Sequence, residues 1–156
     1  MQLVQDLLEE IPIHLLEQVQ IVSGPVTGGS HMAFMIAGLL NAQRKLGSSD
    51  VQFVPIHRGT DESMSIRDFY AKLVDGTEVL LVDDVLNTGR TFARCSSLLS
   101  EAGGRIVATA EMCDRHQRVE KMEGVPNFSL VSVPEDDLYP ADACPLCKLD
   151  MPITRF

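Results

Sequence analysis

Apolar residues recur along the chain with two different periods. Leu3, Val4, Leu7, Leu8 and Ile11 fall at helical spacing, which predicts an amphipathic helix over residues 2–10, ended or kinked by Pro12. Residues 19–23 form a short apolar run bounded by Gly24-Pro25 and read as a buried strand. From Ser30, a good N-cap, to Gly47, the chain is almost continuously apolar up to Leu40 and then turns polar, the pattern of a buried helix that emerges at its end. Residues 51–55 predict a second strand. The stretch IHRGTDESM, residues 56–64, has no period and predicts a loop, followed by a short helix over 65–74. Residues 79–82 predict a third strand. Phe92, Cys95, Leu98, Leu99 and Ala102 mark one face of a helix stopped at Gly103-Gly104. Residues 106–113 and 128–133 predict two further strands, and the proline-rich tail from Pro134 reads as irregular.

Strands alternating with helices imply an α/β domain with a parallel sheet covered on both faces. A length of 156 residues suits one such domain, 1–156, with a short segment 1–18 before the first strand and the tail 134–156 after the last. In such sheets ligands bind beyond the C-terminal ends of the strands, near the point where strand order reverses. Two turns therefore matter: the one after Ser23 and the one after Val82.

Composition narrows the ligand. Thirteen Lys and Arg against 22 Asp and Glu leave a net charge of −9, which argues against gripping nucleic acid, a task that needs clustered cations. It is compatible with a phosphorylated metabolite held by backbone amides and magnesium. No apolar run approaches the ~18 residues of a membrane span. The acidic start MQLVQDLLEE is unlike a signal peptide, and with no export signal the four cysteines point away from disulfides, so the chain reads as cytoplasmic.

The first turn reads SGPVTGGSH, residues 23–31. Its glycines permit close approach, and it feeds a helix whose first N–H groups face it, so Val26, Thr27, Gly28 and Gly29 form a phosphate cradle or an ordinary tight turn. It is neither a Walker A sequence nor a dinucleotide fingerprint. The second turn is more specific. Asp83 and Asp84 follow a buried strand, and adjacent carboxylates need a cation or hydroxyl donors to share. Ribose hydroxyls are suitable donors. Val85, Leu86, Asn87, Thr88, Gly89, Arg90 and Thr91 then offer backbone amides and Thr hydroxyls to a phosphate at the start of the next helix. One stretch thus suits a ribose 5-phosphate. A solvated acidic loop with an ordinary N-cap is the plainer alternative.

The string VLLVDDVLNTGRTF, residues 79–92, closely resembles the phosphoribosyl-pyrophosphate (PRPP) motif of type I phosphoribosyltransferases. SGPVTGGSHMA resembles that family's pyrophosphate loop in the Gly-Pro-x-x-Gly-Gly form of its orotate phosphoribosyltransferase branch. The likeness covers about residues 19–133 and implies the family's Rossmann-like fold. It implies that Asp83 and Asp84 hold the ribose hydroxyls, that residues 85–91 wrap the 5-phosphate, that residues 26–29 hold pyrophosphate, and that Mg2+ rides on the substrate. It further implies transfer of phosphoribosyl from PRPP to a nitrogenous base, an orotate-like pyrimidine favoured, in a homodimer. Cys113-Asp114-Arg115-His116 resembles an Asp-Arg stretch of the orotate enzymes, which makes Arg115 the candidate for a base carboxylate or else a surface arginine.

The pattern also departs from the family. Orotate enzymes carry a Lys-rich lid; residues 56–69 offer His57 and Arg58 but no lysine until Lys72, so Arg58 is the candidate contact to pyrophosphate. Arg90 stands where many members have Gly, and the resulting Thr-Gly-Arg-Thr form resembles the pyrimidine-operon attenuator branch. A PRPP- or nucleotide-binding regulator is therefore the alternative to an enzyme. The segment 1–18 would supply the hood over the base. Finally, Cys144 and Cys147 are half of a tetrahedral zinc site, to be completed by Cys113 and His116 or by a second subunit, or are a nonbinding pair of thiols. Similar Cys-Pro-x-Cys tails occur in some orotate-like members.

Overall fold

The computed structural model describes residues 2–44, 48–60, 63–115, 119–133, 139 and 142–151. In chain order the elements are α1 (Gln2–Glu10), α2 (Ile13–Leu16), β1 (Ile21–Pro25), α3 (Gly28–Gln43), β2 (Gln52–Arg58), β3 (Met64–Ser65), α4 (Asp68–Val74), β4 (Glu78–Leu86), α5 (Arg90–Glu101), β5 (Arg105–Asp114), β6 (Lys121–Met122), β7 (Val125–Ser132) and α6 (Pro145–Lys148). The strands form one sheet in the order β3-β2-β1-β4-β5-β7-β6. Its five inner strands are parallel, and the two-residue strands β3 and β6 pair antiparallel at the edges.

Parallel strands covered on both faces must be apolar on both, which is why the inner strands read as unbroken hydrophobic runs. Successive residues of β4 show it. Leu80 and Val82 join the cluster formed with α1 and α3 around Leu7, Ile36 and Val22, while Val79 and Leu81 join the opposite cluster with Val74 of α4 and Phe92, Cys95 and Leu99 of α5. Truncating a fully buried Leu or Ile among these to Ala would cost about 2–5 kcal/mol. The N-terminal segment is part of the first cluster: α1 buries Val4, Leu7 and Leu8, and Ile11 and Leu16 follow them inward.

Several expected boundaries move. The first strand runs on through Gly24-Pro25, and α3 begins at Gly28, with Thr27 and not Ser30 as its N-cap. The stretch expected as a loop over 56–64 begins as strand. β2 extends through His57 and Arg58, which pair with Ser65 and Met64. Its apolar pattern stops at Ile56 because the strand passes beyond the core there while its backbone stays hydrogen-bonded. Likewise β4 does not end at Val82. It carries Asp83 and Asp84 to Leu86, because β5 continues alongside and pairs Asp83 with Glu111 and Leu86 with Asp114. Val85 and Leu86 are thus strand, and Leu86 is buried in the core. The short α2, β3 and β6 had no readable period, and one turn of helix, α6, lies within the tail expected to be irregular.

From β1 the chain first adds β2 on one side and later returns to add β4 on the other. The ends of β1 and β4 are therefore adjacent, and the connections leaving them diverge. That opens the crevice in which open α/β sheets bind ligands.

Candidate functional site

The turn after β1 and the acidic end of β4 meet in this crevice. Gly24 is required there because a Cβ would collide with the Gly29 carbonyl and lie 2.6 Å from the Val82 carbonyl oxygen. The close pass lets α3 start almost on top of β4. A Cβ on Gly29 would lie 2.9 Å from Asp83 Oδ1, and one on Gly28 would overlap the Asp84 carboxylate. Val26 and Thr27 form the turn itself, are exposed, and are joined by a cis peptide bond, while Val26 N donates to Ile56 O at 2.8 Å. Gly28 and Gly29, expected in a loop, are the first residues of the helix, so their N–H groups are among those a helix leaves without partners.

The two aspartates are not equivalent. Consecutive strand residues point to opposite faces. Asp84 is exposed and lies against Gly28; Asp83 is buried. Burial, helped by the neighbouring charge of Asp84, pushes the Asp83 carboxyl up to about 7. The Asp84 backbone N–H, which donates to Asp83 Oδ1 at 2.9 Å, and the charge of Arg58 oppose the rise. Arg58, at the end of β2, therefore acts electrostatically on Asp83. Asp84 Oδ1 in turn accepts the Val85 N–H at 2.9 Å.

Beyond β4 only Asn87, Thr88 and Gly89 form the turn; Arg90 and Thr91 open α5. Gly89 is the N-cap with φ +72°, a left-handed conformation that favours glycine, and it leaves the first N–H groups of α5 directed toward the turn. Thr88, Gly89 and Arg90 line a cavity of about 350 Å³ together with Leu86, Ala93, Val119 and Met122. Thr88 and Arg90 are exposed and Thr91 is half-buried. Two helix N-termini thus flank one buried and one exposed carboxylate, an arrangement able to take a ligand with phosphates at both ends and hydroxyls between.

Arg115 follows β5 directly. Its backbone N–H donates to Leu86 O at 2.9 Å, which ties it to the same strand end as the aspartates. Residues 116–118, and with them the proposed ligand His116, lie outside the described residues. Cys144 is the N-cap of α6, and Cys147 lies within that helix. The Cys147 backbone N–H, then the Cys147 thiol, lower the Cys144 pKa. Among the described residues no three His, Cys, Asp or Glu side chains converge as a metal site needs, so Cys113 does not complete a zinc site with this pair.

Sequence reasoning passed over Glu111, which is fully buried beside Asp83 and whose carboxyl burial pushes up to about 8. A lone acid inside the apolar run IVATAEMC was the available signal.

Comparison with known proteins gives a consistent picture. Residues 2–137 match the family described as phosphoribosyl transferase domain. An orotate phosphoribosyltransferase of Desulforamulus reducens is 30% identical over 155 residues, covering 99% of this chain and 74% of the relative. An orotate phosphoribosyltransferase of Caldicellulosiruptor bescii is 26% identical over 139 residues, 89% of this chain and 66% of the relative. The chain thus spans about two thirds of the length of most curated relatives it matches. The crystal structure of an adenine phosphoribosyltransferase of Thermoanaerobacter pseudethanolicus superposes with a TM-score of 0.66 at 19% identity, over 85% of this chain and 79% of that one, a likeness of fold.

Proposed function

We propose a function from one premise: this chain belongs to the phosphoribosyl transferase domain family. It transfers 5-phosphoribosyl between PRPP and a nitrogenous base, with release of pyrophosphate. The observation that carries this reading is the direct abutment of Gly28 and Gly29 on Asp84 and Asp83, with the N-termini of α3 and α5 on either side. In this reading Asp83 and Asp84 accept the ribose hydroxyls. Asn87, Thr88, Gly89, Arg90 and Thr91 enclose the 5-phosphate, with Val85 as the strand residue leading into the turn. Val26, Thr27, Gly28 and Gly29 hold the pyrophosphate, and Arg58 supports it from β2.

Charge develops on the ribose ring and on the departing pyrophosphate as the C1 bond breaks. Preorganised N–H groups at the α3 N-terminus and Arg58 favour that departure, because they are already oriented when the charge forms. The residues present fit a magnesium-bound substrate: exposed Asp84 and buried Asp83 are hard oxygen donors facing a cradle that any side chain at 28 would fill. When bound, magnesium neutralises pyrophosphate and sharpens its leaving ability.

Orotate-like pyrimidine is the favoured acceptor, supported by the names of the sequence relatives and by the backbone bond of Arg115 to Leu86 at the β4 end that carries the aspartates, since a guanidinium suits a carboxylate. The segment 1–18 shields the base, and the chain works as a cytoplasmic homodimer. Among the described residues no helix is long and apolar enough to cross a membrane. A second reading, a non-catalytic PRPP or nucleotide sensor, is favoured by the absence of lysine from residues 56–69.

The test is pyrophosphate release from PRPP and magnesium with orotate, uracil, adenine, guanine, hypoxanthine and xanthine in turn, run beside thermal shift. Release with one base establishes the transferase and its acceptor. Stabilisation by PRPP with no release on any base favours the sensor, and no response to PRPP at all rejects both.

A further inference from the structure

Behind the aspartates lies a buried polar cluster that the proposed reaction does not use. Glu111, the register partner of Asp83, is fully buried; its Oε1 accepts a 2.9 Å hydrogen bond from Asn127 Nδ2, and its Oε2 has no partner among the described residues. Asn127, buried on β7, accepts from Thr109 Oγ1 at 2.6 Å and also donates to Val119 O at 2.9 Å. The Val119 N–H donates to Asp114 Oδ2 at 2.6 Å, and Asp114 is fully buried. Buried side chains therefore hold both backbone polar groups of Val119. On the near side, the Arg115 N–H is held by Leu86 O, and Val133 N donates to Asp114 O at 2.8 Å. The two ends of segment 115–119 are anchored to β4, β5 and β7 at once.

Nothing in stability alone calls for this arrangement. β5 is otherwise filled here by Val107, Ala108 and Ala110, and well-packed apolar residues commonly match or exceed a buried polar cluster in stability. What a directional network adds is one defined geometry, because each member has a single set of partners. We infer that Asn127 and Glu111 are positioning residues for acceptor recognition: through Val119 and Asp114 they hold the described chain on either side of residues 116–118 and with it Arg115, and through the Asp83–Glu111 pairing they tie Arg115 to the diol-binding carboxylates. The inference rests on the roles proposed above for Asp83, Asp84 and Arg115.

Three variants test it: Asn127→Ala and Glu111→Leu, which break the network, and Glu111→Gln, which keeps an acceptor oxygen for Asn127. Each is measured for PRPP binding by calorimetry with magnesium, for acceptor KM and kcat with the base found active, and for amide hydrogen exchange at Arg115 and Val119. The disruptive variants are expected to raise acceptor KM about tenfold or more while PRPP Kd stays within about threefold. Glu111→Gln is expected to restore acceptor KM, and exchange at both amides to rise only in the disruptive variants. If Asn127→Ala does not fold, the contrast between Glu111→Leu and Glu111→Gln decides.

Unchanged acceptor KM in both disruptive variants overturns the inference and leaves the function standing. So does an equal loss of PRPP and acceptor binding that Glu111→Gln shares. If the wild type binds PRPP but turns over no base, unchanged amide exchange overturns it. Failure of the wild type to bind PRPP removes the proposed function and the inference with it.

Discussion

Gly28 lies so close to Asp84 that a Cβ at position 28 would overlap the Asp84 carboxylate. The nearest atoms belong to an exposed side chain, which can swing aside, and not to backbone. Gly28→Ala is therefore expected to displace Asp84 and leave the fold intact. PRPP affinity should fall about tenfold or more, the size of a lost charged contact, with a thermal midpoint within about 2 °C of wild type. Calorimetry and a melting curve on the same sample check both.

Gly24→Ala should behave in the opposite way. Its added Cβ meets the carbonyls of Gly29 and Val82, neither of which can rotate away. Overpacking against backbone costs about 1–3 kcal/mol, which in a chain of this size lowers the midpoint by about 2–4 °C per kcal/mol. A midpoint unchanged by Gly24→Ala would mean that α3 does not pass over β1 as closely as described.

Asp83→Asn with Asp84→Asn should weaken PRPP binding severely, since neutral amides replace the two charged acceptors proposed for the ribose hydroxyls. The single change Asp83→Asn also has a stability signature. Burial, chiefly, raises the Asp83 carboxyl to about 7, so the folded state holds its proton more tightly than the unfolded chain does. Stability from this group is full below about pH 4 and is lost as pH rises to about 7. Asp83→Asn removes the loss and is expected to melt higher than wild type at pH 8 but not at pH 4. Glu111→Gln should show the same sign, over a window that ends near 8. PRPP affinity of the wild type is expected to strengthen with pH up to about 7, as Asp83 ionises.

Arg115→Ala is expected to raise acceptor KM about tenfold to a hundredfold with PRPP Kd nearly unchanged, and Arg115→Lys to recover only part of the loss, because an ammonium cannot bond a carboxylate bidentately. Equal effects on both substrates would place Arg115 outside base recognition.

The cysteines should separate by reactivity. Burial pushes the Cys95 thiol up to about 12, whereas the Cys147 backbone N–H holds Cys144 below its ordinary value. Since the thiolate is the nucleophile, iodoacetamide at neutral pH is expected to label Cys144 first and to leave Cys95 unmodified in the native protein. Peptide mass spectrometry reads the order.

Much of the fold was legible because burial on both sheet faces forces long apolar runs, and the inner strands carry them. The two turns of the candidate site were legible for a related reason. Glycines at 28, 29 and 89, the acidic pair and the Thr-Gly-Arg-Thr string are residue types that a chain places at close approaches, helix N-termini and hydroxyl ligands. What misled the reading was polarity inside strands. His57, Arg58, Asp83 and Asp84 look like loop because strand periodicity reports side-chain burial, while strand continuity is decided by the neighbouring backbone that pairs with it.

By itself, then, the order of residues determined an aliphatic α/β sheet and the chemistry of its two turns, since both follow from local composition and period. The tertiary structure alone decided that those turns abut across β1 and β4, that Asp83 is buried while Asp84 is exposed, and that Glu111 and Asn127 meet behind them. Such contacts join strands far apart in the chain, and hydrogen bonds between single buried polar residues leave no period for a sequence to display.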